Sequence, residues 1–163
     1  MEIDLKNIND RINIKRDELN KAIEQNKSKD FIYNLSTELD KIIDEYIIAK
    51  QFNEECKSYN KLLDTDYKNE IIILIKDDVK KQIPELADDE IECFSNNVYI
   101  YACLVANNID SNEISKILVL HNKAYNKRIG ELDNAKEENF DLNFCTNIAK
   151  KYLKIIKKQM NNK

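Results

Sequence analysis

The segment FIYNLSTELDKIIDEYI, residues Phe31–Ile47, decides the fold of this chain because its apolar residues recur at helical spacing. Successive members of the pattern are 4, 4, 3 and 4 residues apart, and they are Phe31, Leu35, Leu39, Ile42 and Tyr46. At about 100° per residue, residues spaced in this way form one stripe along an α-helix. The stripe predicts a helix that has to bury one face against a partner.

The segment from about Ile3 to Gln25 predicts that partner helix. Its apolar seam has spacings of 3, 4, 7 and 3, is interrupted only by Lys15, and consists of Leu5, Ile8, Ile12, Leu19 and Ala22. Residues 26–30 are polar and predict a short turn, in which Ser28 or Asp30 caps the second helix. Because a short connection favours antiparallel neighbours, residues 1–55 are predicted to form a helical hairpin.

The composition of the whole chain points to helices alone. The chain has one Gly and one Pro in 163 residues, whereas Gly averages about 7% of protein sequences. Because β-hairpins and phosphate-binding loops need glycine for positive φ angles, such architectures are nearly excluded and an all-α fold is predicted. The net charge of −4 gives no indication of nucleic-acid binding.

No part of the sequence predicts a membrane segment. The longest apolar run, Val98–Ala106, has nine residues, whereas a membrane-spanning helix needs about 20. The first residues, Met1–Asp4, are acidic and lack the basic and apolar regions of a signal peptide. We therefore expect a cytoplasmic location and no membrane partner.

Residues 56–163 are predicted to add about four further helices of unassigned role, so that the chain forms a small bundle. The second helix can extend past Phe52 and Cys56, with a break expected at residues 63–66 and a third helix from there to Gln82. Thr65 or Asp66 is the predicted cap of the third helix, and its predicted core consists of Tyr67, Ile71, Leu74, Ile75 and Val79. The run Ile71–Ile75 also fits a strand, but no partner strand is evident.

The remaining helix boundaries follow from breakers and capping residues. Pro84 ends the third helix, and the acidic residues 88–90 suit the N-terminus of an apolar core helix that extends to about Asn107. Ser111 is the predicted cap of a helix from about residue 112 to residue 139. Asp141 or Asn143 is the predicted cap of the last helix, which ends within residues 159–163.

The cysteines and the histidine do not predict a metal site. Cys56, Cys93, Cys103 and Cys145 include no C-x-x-C pair, and His121 is the only histidine. A zinc site would have to be assembled from distant helices. We expect reduced, mostly buried cysteines and a structural role for His121.

The residues that carry chemistry are predicted to lie on the second helix, in the run Ser36-Thr37-Glu38-Leu39-Asp40. This run, with the preceding hairpin and the following Ile42-Ile43 and Tyr46, resembles the Ser-Gln-Glu-Leu-Asp motif of the sporulation stage-zero E-type aspartyl-phosphate phosphatases. The resemblance covers about 50 of the 163 residues. Thr37 stands where that family has Gln.

The resemblance implies a phosphatase that removes the phosphoryl group from the receiver domain of a response regulator and so negatively regulates sporulation initiation. It implies that Asp40 and Ser36 are catalytic and that the protein needs no cofactor of its own, because Mg²⁺ is bound by the partner receiver domain. The residues expected to contact the partner are Thr37, Glu38, Leu39, Ile43, Asp44 and Ile47.

Helical geometry is compatible with this chemistry. Ser36 and Asp40 fall within about 40° of each other on one edge of the apolar stripe, with Ile43 and Ile47 beside them. Asp40 is thus expected beside exposed apolar surface, where a carboxylate could orient an attacking water or contact the Mg²⁺ shell.

Two other functions fit the same sequence. Because Thr37 replaces the family Gln, the hairpin could bind a receiver domain or another helical partner without catalysis. Alternatively, the seam of the first helix could serve as the interface of a structural or oligomerising protein.

The C-terminal part of the chain resembles the hairpin. At an offset of 113 residues, Asn9–Ile43 aligns with Asn122–Ile156 without a gap and with 12 identities in 35 positions. Residues 120–160 are then either a duplicated hairpin that lost its chemistry or an unrelated hairpin of similar composition. Ala149 stands opposite Ser36 and Leu153 opposite Asp40, so no catalytic role is expected there.

Overall fold

The computed structural model describes residues 1–129 and 142–162, and the regular structure of these residues is entirely helical. The helices are α1 (Leu5–Glu24), α2 (Lys29–Cys56), α3 (Asn60–Leu63), α4 (Lys68–Gln82), α5 (Asp88–Ala106), α6 (Ser111–Ile129) and α7 (Leu142–Asn161), with a 3₁₀ turn at Lys57–Tyr59. The predicted all-α bundle with an N-terminal hairpin is confirmed. No described helix is both long enough and apolar enough to cross a membrane.

The turn between α1 and α2 is built from local hydrogen bonds. Ser28 Oγ accepts a hydrogen bond from the backbone N–H of Phe31 at 3.2 Å, so Ser28 is the cap of α2. Asn26 has a φ of 50°, in the left-handed region that Asn tolerates better than most residues. The backbone N–H of Lys27 donates to the carbonyl oxygen of Ala22 at 3.0 Å, which closes the end of α1.

Three pairs of residues in contact show that α1 and α2 run antiparallel. Asn53 of α2 exchanges hydrogen bonds of 2.8 and 2.9 Å with the backbone of Ile3. Further toward the turn, Arg11 pairs with Glu45 and Lys15 pairs with Glu38, each at 2.9 Å. The hairpin core between the helices comprises the buried residues Ile8, Ile12, Leu39 and Ala49, joined by Ala124 of α6.

Helix α6 packs along the C-terminal half of α2 and connects the hairpin to the rest of the bundle. Lys116 pairs with Glu55 at 2.8 Å, and the rings of Phe52 and His121 lie 5.3 Å apart. Helix α5 is central to the remainder, because α4, α6 and α7 all pack against it. The main core is filled by fully buried side chains that include Phe52, Leu63, Ile75, Tyr99, Ile100, Leu104, Ile117, Leu118, Tyr152 and Ile156.

The core prediction for α4 is wrong at one position. Leu74 is 48% exposed, whereas Ile72 is 7% exposed and takes the predicted place of Leu74 in the core. Because α4 packs against both α5 and α7, its buried face is wider than a single stripe and includes Ile71, Ile72, Ile75 and Val79. The predicted end of α4 at Gln82 is confirmed, and the alternative strand is not formed.

Several predicted caps are also wrong. Helix α4 begins after Tyr67 without a side-chain cap, and the Thr65 hydroxyl instead forms a 3.0 Å hydrogen bond with the Tyr99 hydroxyl. Asp110 rather than Ser111 caps α6, because its Oδ1 accepts from the backbone N–H of Asn112 at 2.9 Å. Asn143 lies inside α7, while Asp141 and the predicted end of α6 at residue 139 lie outside the described residues.

The described parts of α6 and α7 have different main neighbours, unlike α1 and α2, which pack on each other. Helix α6 packs on α2 and α5, whereas α7 packs on α5 and α4. The Tyr152 hydroxyl donates to the Asp78 carboxylate, and Lys151 pairs with the same carboxylate at 2.7 Å. Ala149, opposite Ser36 in the internal alignment, is 1% exposed. The internal duplication stays a prediction.

Candidate functional site

Asp40 and Ser36 lie one turn apart near the middle of α2. Asp40 is exposed and Ser36 is half-buried. Among the described residues, neither side chain has a hydrogen bond or ion pair within the chain. The two groups therefore remain available to an external partner.

Three further residues share this side of α2. Residues 33, 36, 40, 43 and 47 follow spacings of 3, 4, 3 and 4 and form a surface that we call the Asp40 edge: Tyr33, Ser36, Asp40, Ile43 and Ile47. Tyr33 is 72% exposed and Ile47 is 49% exposed, whereas Ile43 packs partly against the hairpin core. At a rise of 1.5 Å per residue, the edge is about 21 Å long. It combines a polar centre with apolar ends.

The packing of α6 leaves the Asp40 edge open. Phe52, which contacts α6, lies 12 residues after Asp40, and this separation corresponds to a rotation of about 120° around α2. The ion-paired Glu45 lies five residues after Asp40, about 140° away in the same sense. Helices α1 and α6 therefore occupy other faces of α2, as the exposure of Asp40 and Ile47 requires.

Two of the predicted contact residues hold the hairpin together. Glu38 Oε2 lies 2.9 Å from the Lys15 ammonium, which also pairs with Glu18 at 2.7 Å. Hydrogen bonds to Glu18 and Glu38 raise the pKa of Lys15. Leu39 is 8% exposed and packs in the hairpin core. The side chains of Glu38 and Leu39 are thus directed toward α1.

Thr37 and Asp44 complete the predicted contact set. The Thr37 hydroxyl donates to the carbonyl oxygen of Tyr33 at 3.0 Å, so its hydrogen is used within its own helix. Because the hydroxyl hydrogen is already donated, the Thr37 side chain has no hydrogen left to donate to a partner. Asp44 is exposed one turn beyond Asp40 and adds a second carboxylate near the edge.

Glu45, which was not predicted from the sequence to matter, is a buried carboxylate on α2. Its side chain is only 2% exposed, and its Oε1 pairs with Arg11 Nη1 at 2.9 Å. Its Oε2 has no hydrogen-bond partner among the described residues. A buried carboxylate of this kind needs its cation, so the pair disfavours any other register of α1 on α2. The antiparallel hairpin predicted from the two stripes could have suggested the pair, because Arg11 and Glu45 fall at the same height.

Cys56, Cys103 and His121 are buried groups that are uncharged near neutral pH. Burial raises the pKa of Cys56 to about 12 and the pKa of Cys103 to about 11, so both are protonated thiols near neutral pH. Burial also lowers the pKa of His121 to about 4, so its imidazole is neutral. Within residues 1–129 and 142–162, no group of three or more His, Cys, Asp or Glu residues could hold a metal ion.

No protein-family model, curated protein or solved structure matches this chain. The likeness of Ser36–Asp40 to the phosphatase motif therefore depends on the residues of the hairpin alone.

Proposed function

We propose that this protein is an aspartyl-phosphate phosphatase that acts on the receiver domain of a response regulator and negatively regulates sporulation initiation. The observation that carries the proposal is the exposed, unpaired carboxylate of Asp40 at the centre of the Asp40 edge. The resemblance of Ser36–Asp40 to the family motif supports the same activity. The proposed partner is cytoplasmic, and this protein needs no cofactor of its own.

The proposed chemistry requires little from the phosphatase. The aspartyl phosphate is an acyl phosphate, and the receiver's Mg²⁺ neutralises part of its charge. Water attacks phosphorus in line, the bond between phosphorus and the aspartate oxygen breaks, and the products are the free carboxylate and dihydrogen phosphate. Asp40 accepts a hydrogen bond from the attacking water and orients it, and Ser36 supplies a second polar contact one turn away.

The ends of the Asp40 edge are suited to docking. Tyr33 and Ile47 expose apolar surface on either side of Asp40, and aromatic and aliphatic anchors supply much of the binding free energy at protein interfaces. The Asp40 edge lies on α2, and α2 is held by packing against both α1 and α6, which suits a site that has to keep a fixed geometry. A rigid docking surface is what the positioning of a single water requires.

The activity is tested by comparing Asp40→Asn with Asp10→Asn, which removes another exposed carboxylate, from the outer face of α1. The substrate is a phosphorylated receiver domain with Mg²⁺, and the measurement is release of inorganic phosphate. We expect Asp40→Asn to lose on the order of 100-fold in rate, because water positioning is lost, and Asp10→Asn to retain the rate. Equal rates for Asp40→Asn and the unchanged protein would refute the proposal.

A second candidate function is non-catalytic binding of a receiver domain or another helical partner. It is favoured by the Thr37 hydroxyl, which is engaged with the carbonyl of Tyr33 and is not free to replace the family Gln. In that case the protein binds the phosphorylated receiver but leaves its rate of phosphate loss unchanged or slows it. The same assay distinguishes the two functions.

A further inference from the structure

Arg16 is an exposed cation whose charged group forms no interaction that stabilises the described fold. The residues three and four positions away on α1, which are its helical neighbours, are Ile12, Asn13, Leu19 and Asn20, and none is acidic. Within the described part of the chain, Arg16 makes no ion pair or hydrogen bond. The adjacent Lys15, in contrast, is paired with both Glu18 and Glu38.

The two ion pairs of the hairpin mark one flank of the contact between α1 and α2. Arg11 with Glu45 and Lys15 with Glu38 are each linked at 2.9 Å. The carboxylates are seven residues apart on α2, and the cations are four residues apart on α1. Seven residues correspond to about two turns of α2, so the two carboxylates lie on one side of that helix. Four residues correspond to about one turn of α1, so the two cations also lie on one side of their helix.

Arg16 and Asp40 lie on the opposite flank. Counted toward the C-terminus, Arg16 is about 100° around α1 from Lys15, and Asp40 is about 200° around α2 from Glu38. Because the two helices are antiparallel, rotations in the same sequence direction carry both residues toward the same side of the pair. Arg16 is therefore placed on the side of the hairpin that presents the Asp40 edge.

The heights of these residues also agree. Arg11 and Glu45 are at one level, and the hydrogen bonds between Ile3 and Asn53 give the same register. Arg16 is five residues closer to the turn than Arg11, and Asp40 is five residues closer to it than Glu45, so each lies about 7.5 Å nearer the turn than that pair. Arg16 thus lies level with Asp40. Within the described chain, the Arg16 guanidinium and the Asp40 carboxylate pair neither with each other nor with any other charged group.

We propose, on the basis of the proposed phosphatase function, that Arg16 binds the phosphoryl oxygens of the aspartyl phosphate while Asp40 orients the water. A carboxylate alone would repel the doubly charged phosphoryl group. The planar guanidinium offsets this repulsion and can donate two hydrogen bonds to phosphate oxygens. It also stabilises the charge that develops as the bond between phosphorus and the carboxylate oxygen breaks. Arg16 and Asp40 thus act on the same reacting group from two helices.

The test uses Arg16→Gln and Arg16→Lys in the full chain, with Lys6→Gln as the matched loss of an exposed charge from the outer face of α1. The kcat and KM for phosphate release are measured on a phosphorylated receiver domain with Mg²⁺. We expect Arg16→Gln to lower kcat on the order of 100-fold. The kcat of Arg16→Lys should lie between that of Arg16→Gln and that of the unchanged protein, because lysine keeps the positive charge but cannot donate two parallel hydrogen bonds as arginine does. Lys6→Gln should keep the original kcat.

A binding measurement separates a contact with the phosphoryl group from general docking. Arg16→Gln should weaken binding to a receiver loaded with beryllofluoride, which mimics the phosphoryl group, and leave binding to the unmodified receiver unchanged. Equal weakening for both receivers, or an unchanged kcat, would overturn the proposal for Arg16. If the unchanged protein releases no phosphate, the phosphatase function fails, and the beryllofluoride comparison still decides whether Arg16 contacts the phosphoryl group.

Discussion

Arg11 Nη1 lies 2.9 Å from Glu45 Oε1, and this ion pair connects α1 to α2 through a carboxylate that is 2% exposed. The arginine is 35% exposed, so one partner remains in contact with water while the other is buried. A pair of this kind contributes more to specifying a register than to net stability. It keeps Lys15 beside Glu38 and thereby keeps Arg16 at the height of the Asp40 edge.

Removal of Arg11 should therefore be costly. Arg11→Met leaves the Glu45 carboxylate buried without its cation, and we expect a loss of about 2 kcal/mol in the free energy of unfolding, less than for a fully buried pair because Arg11 is partly solvated. Urea unfolding of Arg11→Met and of Lys6→Met measures the difference. The double variant Arg11→Met with Glu45→Met should recover most of the loss. Equal stability of Arg11→Met and the unchanged protein would contradict this role.

Truncation of Phe52 tests the packing of α6 on α2. Phe52 is fully buried against His121, so Phe52→Ala should destabilise the fold by about 3–5 kcal/mol through lost burial and a new cavity. Tyr33→Ala on the same helix is the control, because Tyr33 is 72% exposed and should change stability by less than about 0.5 kcal/mol. Thermal unfolding followed by circular dichroism measures both. Similar melting temperatures for the two variants would show that α6 does not cover Phe52.

Asp78 should make the stability depend on pH in acid. Hydrogen bonds from Lys151 and then from Tyr152 hold the pKa of Asp78 below its usual 3.8. Because the folded-state pKa is depressed, this stabilisation is present above the unfolded pKa and is lost as the pH falls through the folded value. Asp78→Asn should therefore melt below the unchanged protein near neutral pH, and the difference should shrink below pH 3.8.

The control for Asp78 is Asp77→Asn, which removes the neighbouring exposed carboxylate. Its melting temperature should follow that of the unchanged protein across the same pH range. A difference between Asp78→Asn and the unchanged protein that persists at the lowest pH would mean that the carboxylate charge is not the cause.

The buried thiols should resist alkylation in the folded protein. Cys56 and Cys103 are fully buried, and burial raises their pKa values to about 12 and about 11, so the reactive thiolate is scarce and inaccessible. Iodoacetamide at mildly alkaline pH should modify them only after addition of denaturant. Peptide mass spectrometry of samples treated with and without denaturant measures the outcome. Rapid modification of Cys56 in the native protein would show that the junction between α2 and the 3₁₀ turn opens readily.

The hairpin was predictable from the sequence because its information is local. The stripe from Phe31 to Tyr46, the seam of α1 and the Ser28 cap each involve residues within a few turns of one another. The surface position of Asp40 follows from the same periodicity. Burial that depends on several neighbouring helices was not predictable in this way.

Leu74 and Glu45 show where local patterns fail. The run Ile71–Ile75 is apolar on every side, so its spacing cannot choose which residues α5 and α7 will cover, and Leu74 is left exposed. Glu45 is polar and would be expected in solvent, yet its position where α2 packs on α1 buries it beside Arg11. Both outcomes depend on contacts between segments far apart in the chain.

The arrangement of α2 has a consequence for how such a protein can evolve. Phe52 secures the helix to α6, while Tyr33 and Ile47 lie on another face and at other heights. Substitutions at well-separated sites change free energies nearly independently. Under the proposed function, natural selection can therefore change the recognised partner by replacing Tyr33 or Ile47 while the helical scaffold stays the same.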